Sequence, residues 1–122
     1  MTYCFNVPQS GNYQIQGLVW PTSSGNTFWV QVLGQNYLWD LPSQNNTYAL
    51  DTVNNRNAGG ADVTLTLPAG EVTVIVRLRE DGARLDTIGL VPAGGAGNSI
   101  NPLNTTPAFD APAIPRTSPF SR

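Results

Sequence analysis

The densest group of charges in the sequence is the stretch REDGARLD, from Arg79 to Asp86, in a chain of which 11% is charged. Three explanations fit such a group: a catalytic pair of carboxylates, a site for a metal ion or other ligand, or a structural turn. Paired-carboxylate hydrolysis needs two acids about 5 to 9.5 Å apart across the scissile bond. Glu80 and Asp81 are adjacent in a turn and diverge, and Asp86 falls inside the next predicted strand. The sequence therefore favours a protein that is not an enzyme.

The structural explanation rests on the turn chemistry of this stretch. The residues EDGA separate two runs in which apolar and polar residues alternate, a pattern typical of a β-hairpin. We expect Gly82 to supply a positive φ angle and Asp81 to favour the turn. Arg77 and Asp86 are then predicted to form a structural clamp, an arginine–carboxylate pair that fixes the last strand.

The composition limits the partners and the chemistry of the chain. Its net charge is −2 and it contains neither lysine nor histidine, so it has no basic surface for a nucleic acid. Without histidine, serine–histidine and cysteine–histidine catalysis within the chain are excluded. No apolar stretch is long enough to insert into a membrane. Low charge and many Asn, Thr and Ser residues are typical of an extracellular or cell-surface β-protein.

Period-two alternation, interrupted by Gly, Pro and Asn, continues to about residue 91, and helical periodicity is nearly absent. The predicted strands are Thr2–Val7, Tyr13–Trp20, Phe28–Leu33, Tyr37–Leu41, Tyr48–Val53, Val63–Leu67, Val72–Arg79 and Leu85–Val91. Many short strands at this spacing predict an all-β sandwich or barrel. In the seventh run we expect Val72, Val74, Val76 and Leu78 to face the core. In the third run Trp29 and Gln31 should point outward.

The sequence changes character after Pro92. Residues 1–92 are predicted to form one β-sandwich module, and residues 93–122 form an extended tail rich in Gly, Pro and Asn. Spaced apolar residues in the tail suit an extended segment that lies along a sheet edge or groove. Two hypotheses stay open for the tail: it wraps its own sandwich, or it donates a strand to a neighbouring subunit.

Four stretches of the chain resemble a known family: YCFNVPQSGNYQIQGLVW, NTFWVQVLG, YLWDLP and LPAGEVTVIVRLREDGARLDTIGLV. They are similar to the jelly-roll carbohydrate-binding modules of families six and thirty-five, particularly a group found in large bacterial surface proteins. The resemblance implies a galactose-binding-like jelly-roll sandwich that binds glycan without catalysis. Its ligand site would lie in the loops at one end, where aromatic rings stack on sugar rings.

Aromatic and charged side chains are the ligand-binding residues that the resemblance and the composition together suggest. Neutral glycans suit such a surface, because sugar C–H groups pack on aromatic rings and hydroxyls pair with polar side chains. The predicted ligand-binding residues are Trp29, Trp39, Tyr48, Arg79, Glu80 and Asp81, with Trp20 and Tyr37 behind them. For each aromatic residue, ordinary packing is the alternative.

The chain departs from the family at two places. The loop asparagine before the family's last strand has no counterpart, because Arg84 and Leu85 occupy that region. The family's opening segment, whose acids bind a structural calcium together with an aspartate at the position of Asp86, is also missing. Calcium takes about six to eight oxygen ligands, which one aspartate cannot supply, so we expect no cofactor unless other groups substitute.

The missing segment would leave an edge of the sheet unpaired, and unpaired edges accept strands. The alternative function is therefore a structural subunit of an extracellular filament, in which each tail completes the next copy and the chain forms a homo-oligomer. Glycan and copies of the chain itself are the two predicted partners. Cys4, the single cysteine, is expected either as a small buried residue or as half of a disulfide to another chain or an additional segment.

Overall fold

The computed structural model describes residues 1–22, 26–42, 46–80, 82–94 and 99–104. These residues form eight strands and one 3-10 turn at Arg56–Ala58. The strands are β1 (Thr2–Val7), β2 (Gly11–Trp20), β3 (Thr27–Val32), β4 (Gln35–Asp40), β5 (Ala49–Thr52), β6 (Leu65–Leu67), β7 (Gly70–Leu78) and β8 (Arg84–Pro92). Each predicted strand is present, with ends within about two residues of the predicted ones, which is the usual uncertainty of strand boundaries.

The strands form two antiparallel four-stranded sheets. In the first sheet the order is β1-β7-β3-β4. In the second sheet β5 and β6 pair with one edge of β2, and β8 pairs with its other edge. Along the chain the strands pass repeatedly from one sheet to the other, and their inner faces pack together. The predicted all-β sandwich is therefore confirmed.

The inner faces follow the alternation of the sequence. Val72, Val74 and Val76 of β7 are buried, as are Phe28, Val30 and Val32 of β3 and Tyr13, Ile15 and Val19 of β2. The prediction that Leu78 belongs to the core is wrong, since 56% of its surface is exposed. Met1, the residue just before β1, pairs with Val76. No described strand therefore lies beside Leu78 on that edge of β7.

The side of the sandwich between β1 and β8 is closed by the segment 99–104, which we call the closing segment. Ile100 forms an antiparallel bridge with Leu90 of β8, with N–O distances of 2.7 and 3.1 Å. The Leu103 amide then donates to the carbonyl of Cys4 at 2.7 Å. The Asn104 side chain accepts from the Cys4 amide at 2.9 Å and donates to the Thr2 carbonyl at 3.2 Å. The two exposed sheet edges are thus bridged by residues of the same chain.

Candidate functional site

The charged turn after β7 is tied to the beginning of β3. The Glu80 carboxylate accepts a hydrogen bond from the Thr27 hydroxyl at 2.8 Å and another from the Asn26 amide at 3.2 Å. Arg79 donates to the same hydroxyl at 3.2 Å and lies 3.9 Å from Glu80. The Thr27 hydroxyl, followed by the Asn26 amide, lowers the pKa of Glu80. The charges of Arg79 and Glu80 are therefore engaged in holding a corner of the sandwich.

Two features of the predicted turn can be compared with the structure. Gly82 has a φ angle of 105°, which confirms the prediction that this glycine supplies a positive φ. The prediction of a hairpin is wrong, because β7 pairs with β1 and β3 whereas β8 pairs with β2 in the other sheet. The turn is a crossover between the two layers of the sandwich. Asp81 lies outside the described residues.

The predicted clamp between Arg77 and Asp86 does not form. Arg77 lies on the outer face of the first sheet and donates to the Gln31 side chain at 2.8 Å. Asp86 is exposed in the second sheet, at a bulge where the register between β2 and β8 shifts. The two strands belong to different layers, and no ion pair joins these two side chains, both of which the structure describes. Among the described residues the short arginine–carboxylate pair is Arg56 with Asp40, at 2.7 Å.

Trp39 is a core residue, and the prediction that it binds ligand is wrong. Its side chain is 0% exposed, and its ring centroid lies 5.7 Å from that of Phe28. Its indole Nε1 donates to the Asp51 carboxylate at 2.7 Å. A Cβ atom on Gly17 would lie 2.7 Å from the edge of the indole ring. The ring thus fills the space between the sheets, and no ligand can stack on it.

Tyr48 lies at the end of the second sheet, where it packs against Trp20. The two rings meet edge to face with centroids 4.9 Å apart, and Tyr48 is 44% exposed. The Arg84 guanidinium lies 5.1 Å from the centroid of the Trp20 ring. Trp20 is therefore packed between two neighbours, an arrangement that stabilises the strand ends. The structure does not bring Tyr48 together with Trp29, which lies in the other sheet.

Trp29 is the predicted aromatic residue that stands at an accessible hollow. It is half-buried on the outer face of β3, where its register neighbours are Arg77 on β7 and Leu38 on β4. Together with Asn36 and Arg77 it lines a hollow of ≈ 280 Å³. The hydrogen bond from Arg77 to Gln31 keeps the guanidinium beside the ring. We call this set of four residues, Trp29, Gln31, Asn36 and Arg77, the Trp29 face.

Sequence reasoning found Trp29 but missed the two amides beside it. Gln31 and Asn36 face each other because β3 and β4 are joined by a two-residue turn. Leu33 and Gly34 in this turn have φ angles of 52° and 76°, as a type I′ hairpin requires. The short spacing between the two runs was the signal that could have paired these amides. Arg77 was predicted, but in a different role.

The single cysteine, metal-ion ligands and membrane-spanning segments are the remaining features that the sequence analysis considered. Cys4 is a free, half-buried cysteine opposite Thr73 at the edge of the first sheet, so a disulfide to another chain stays a prediction. Within the part of the chain that the structure describes, no three His, Cys, Asp or Glu side chains come together as metal ligands. No helix among those residues has the length and apolar character needed to cross a membrane.

Comparisons with protein families, with curated proteins and with solved structures find no match for this chain.

Proposed function

We propose that the protein is a non-catalytic, extracellular module that binds neutral glycan on the Trp29 face. The observation that carries the proposal is the combination of a partly exposed indole with an amide and an arginine around one hollow. An indole offers an apolar surface for the C–H groups of a sugar ring, and the amide and guanidinium can bond its hydroxyls. The resemblance to carbohydrate-binding modules also leads one to expect an aromatic ring beside polar groups, but in the loops at one end, whereas the Trp29 face lies on strands β3, β4 and β7.

The size of the hollow limits the ligand. At ≈ 280 Å³ it lies just below the range of about 300 to 1,000 Å³ typical of pockets for drug-sized molecules. We therefore expect it to hold one sugar unit, such as the end of a glycan or a single residue of a longer chain. A small contact of this kind gives weak binding, so the protein would depend on several copies on one surface for strong attachment.

The site is tested by screening the purified protein on a glycan array and measuring the dissociation constant of the best ligand by calorimetry. Trp29→Ala should weaken binding about two- to tenfold, because contact with the face of an aromatic ring is worth about 0.5 to 1.5 kcal/mol. The matched control is Tyr48→Ala, which removes a half-exposed aromatic ring from the other sheet and should leave binding unchanged. Absence of binding to every glycan, or equal binding by Trp29→Ala, would end the proposal.

A second candidate function is assembly into an extracellular filament by exchange of tails between copies. Met1 is 49% exposed and Leu78 is 56% exposed. These apolar side chains favour contact with another protein at the end of the sandwich where β1 begins. The closing segment, however, pairs with β8 and β1 of its own chain, which ranks this function second. Sedimentation velocity over a wide concentration range tests it, and a monomer throughout would exclude it.

A further inference from the structure

An apolar groove lies at the β1 end of the sandwich, on the side that the closing segment approaches. Its volume is ≈ 450 Å³, within the range of about 300 to 1,000 Å³ seen for binding pockets. The apolar residues that line it are Met1, Val76, Leu78, Ala83 and Leu85. Since Met1 and Leu78 are about half exposed, the groove presents an uncovered apolar surface of the kind that marks an interaction site.

The closing segment is directed toward this groove. Leu103 bonds the main chain of Cys4, and the next residue, Asn104, reaches the carbonyl of Thr2 with its side chain. The segment thus runs antiparallel to β1, in the direction of Met1. Met1 itself lines the groove, and its main chain is paired with Val76 at 2.7 Å in both directions. The residues that follow Asn104 therefore leave the described chain beside the groove.

The distances allow the first aromatic residue after Asn104 to reach the middle of the groove. Phe109 is five positions beyond Asn104, and an extended chain spans about 17 Å over five residues. Thr2 is in register with Ile75, and Leu78 lies three strand positions farther along β7, about 10 Å. The closing segment lies on the edge of β1 opposite β7, so the path also crosses two strand spacings, about 10 Å. The direct distance is then about 14 Å, which a nearly extended chain from Asn104 to Phe109 can span.

The chemistry of the groove matches that of the segment. Arg77 and Arg84 also line the groove, but the Arg77 guanidinium bonds the Gln31 side chain and the Arg84 guanidinium lies over the Trp20 ring. In the sequence TTPAFDAP, Phe109 is the first large apolar residue beyond Asn104. Its phenyl ring would complement the apolar lining of the groove. The nearby prolines favour an extended backbone, which suits docking in a groove.

We propose that the groove is the docking site for residues 105–112 of the same chain, with Phe109 against Leu78 and Leu85. Residues 105–112 of the same chain are preferred over those of a second copy, because the bond of Asn104 to Thr2 gives them an effective concentration on the order of millimolar. A free copy would have to exceed that concentration to compete. The tail would then act as an intramolecular cover for this end of the sandwich.

The proposal is tested on the full chain by NMR, with ¹³C-labelled leucine methyl groups. Nuclear Overhauser contacts are expected between the methyls of Leu78 and Leu85 and the ring protons of Phe109. They should persist on dilution. In a mixture of labelled and unlabelled protein, an isotope-filtered experiment should show no such contact between copies. Absence of contacts to Phe109, or contacts seen only between copies, would overturn the proposal.

Two variants test directly whether Phe109 docks in the groove. Leu78→Asp places a carboxylate in the groove and should abolish the contacts between Leu85 and Phe109. The matched control is Leu33→Asp, which changes a leucine of similar exposure, 54%, in the turn between β3 and β4. That variant should leave the contacts intact. If Leu78→Asp is folded, as its amide spectrum would show, and the contacts between Leu85 and Phe109 remain, the groove is not the docking site.

Discussion

Gly17 is the position at which a single added methyl group tests the packing of Trp39 most directly. In the sandwich an added Cβ would lie 2.7 Å from the Trp39 ring and 3.2 Å from side-chain carbons of Ile88 and Leu85. The first distance is shorter than real Cβ contacts allow. Trp39 and Ile88 belong to the core, and Leu85 is packed against it. We predict that Gly17→Ala destabilises the protein because the indole cannot move without displacing Phe28 or losing its bond to Asp51.

The expected size of the effect follows from the cost of overpacking a core. Forcing an extra methyl group into a well-packed interior costs about 1 to 3 kcal/mol. For a domain of this length each kcal/mol lowers the melting temperature by about 4 °C, so Tm should fall by about 4 to 12 °C. The free energy of unfolding is best measured by urea denaturation, followed by far-UV circular dichroism.

The matched control for this prediction is Gly11→Ala in the same strand. A Cβ at Gly11 meets only a carbon of Tyr13 at 3.9 Å, an ordinary contact, so this change should be close to neutral. A double-mutant cycle adds a second check, since Trp39→Phe removes the ring edge that the new methyl would strike. The two changes together should cost at least about 1 kcal/mol less than their sum. Additivity within about 0.5 kcal/mol, or equal effects at the two glycines, would refute the packing argument.

Two further predictions concern acidic side chains. Burial raises the pKa of Asp51, so the folded state binds its proton more tightly than the unfolded chain, and this group adds stability as pH falls through the raised value. Asp51→Asn keeps an acceptor for Trp39 and should raise Tm at pH 7. The variant should also lack the stability that the wild type gains from protonation of Asp51 as the pH falls toward about 4. Scanning calorimetry measures both effects, and a lower Tm of the variant at pH 7 would contradict the prediction. For Glu80, whose pKa is lowered by Thr27, the stabilisation is present above the unfolded value of about 4.3 and is lost as pH falls through the folded one. Thr27→Val should therefore raise the Glu80 pKa in a ¹³C NMR titration, and an unchanged titration would exclude the Thr27 hydroxyl as the cause.

Alternation in the sequence predicts the position of Trp29 correctly but cannot predict that of Trp39. Alternation placed Trp29 on an outer face, and the register of β3 with β4 and β7 then set Asn36 and Arg77 around it. Trp39 could not be assigned in the same way, since Leu38 and Trp39 are adjacent and both buried. Consecutive apolar residues give no period, so only the packing of the two sheets decided which ring is accessible.

The sequence by itself determined the eight strands, the inner faces of β2, β3 and most of β7, and the positive φ of Gly82. These features depend on alternation and on glycine at turns, which act over a few neighbouring residues. Only the tertiary structure decided that β7 and β8 belong to different sheets, which separates Arg77 from Asp86. It also decided that the closing segment pairs with its own β1 and β8. Pairing between distant strands depends on which edges and faces meet in space, and no local pattern of residues encodes that choice.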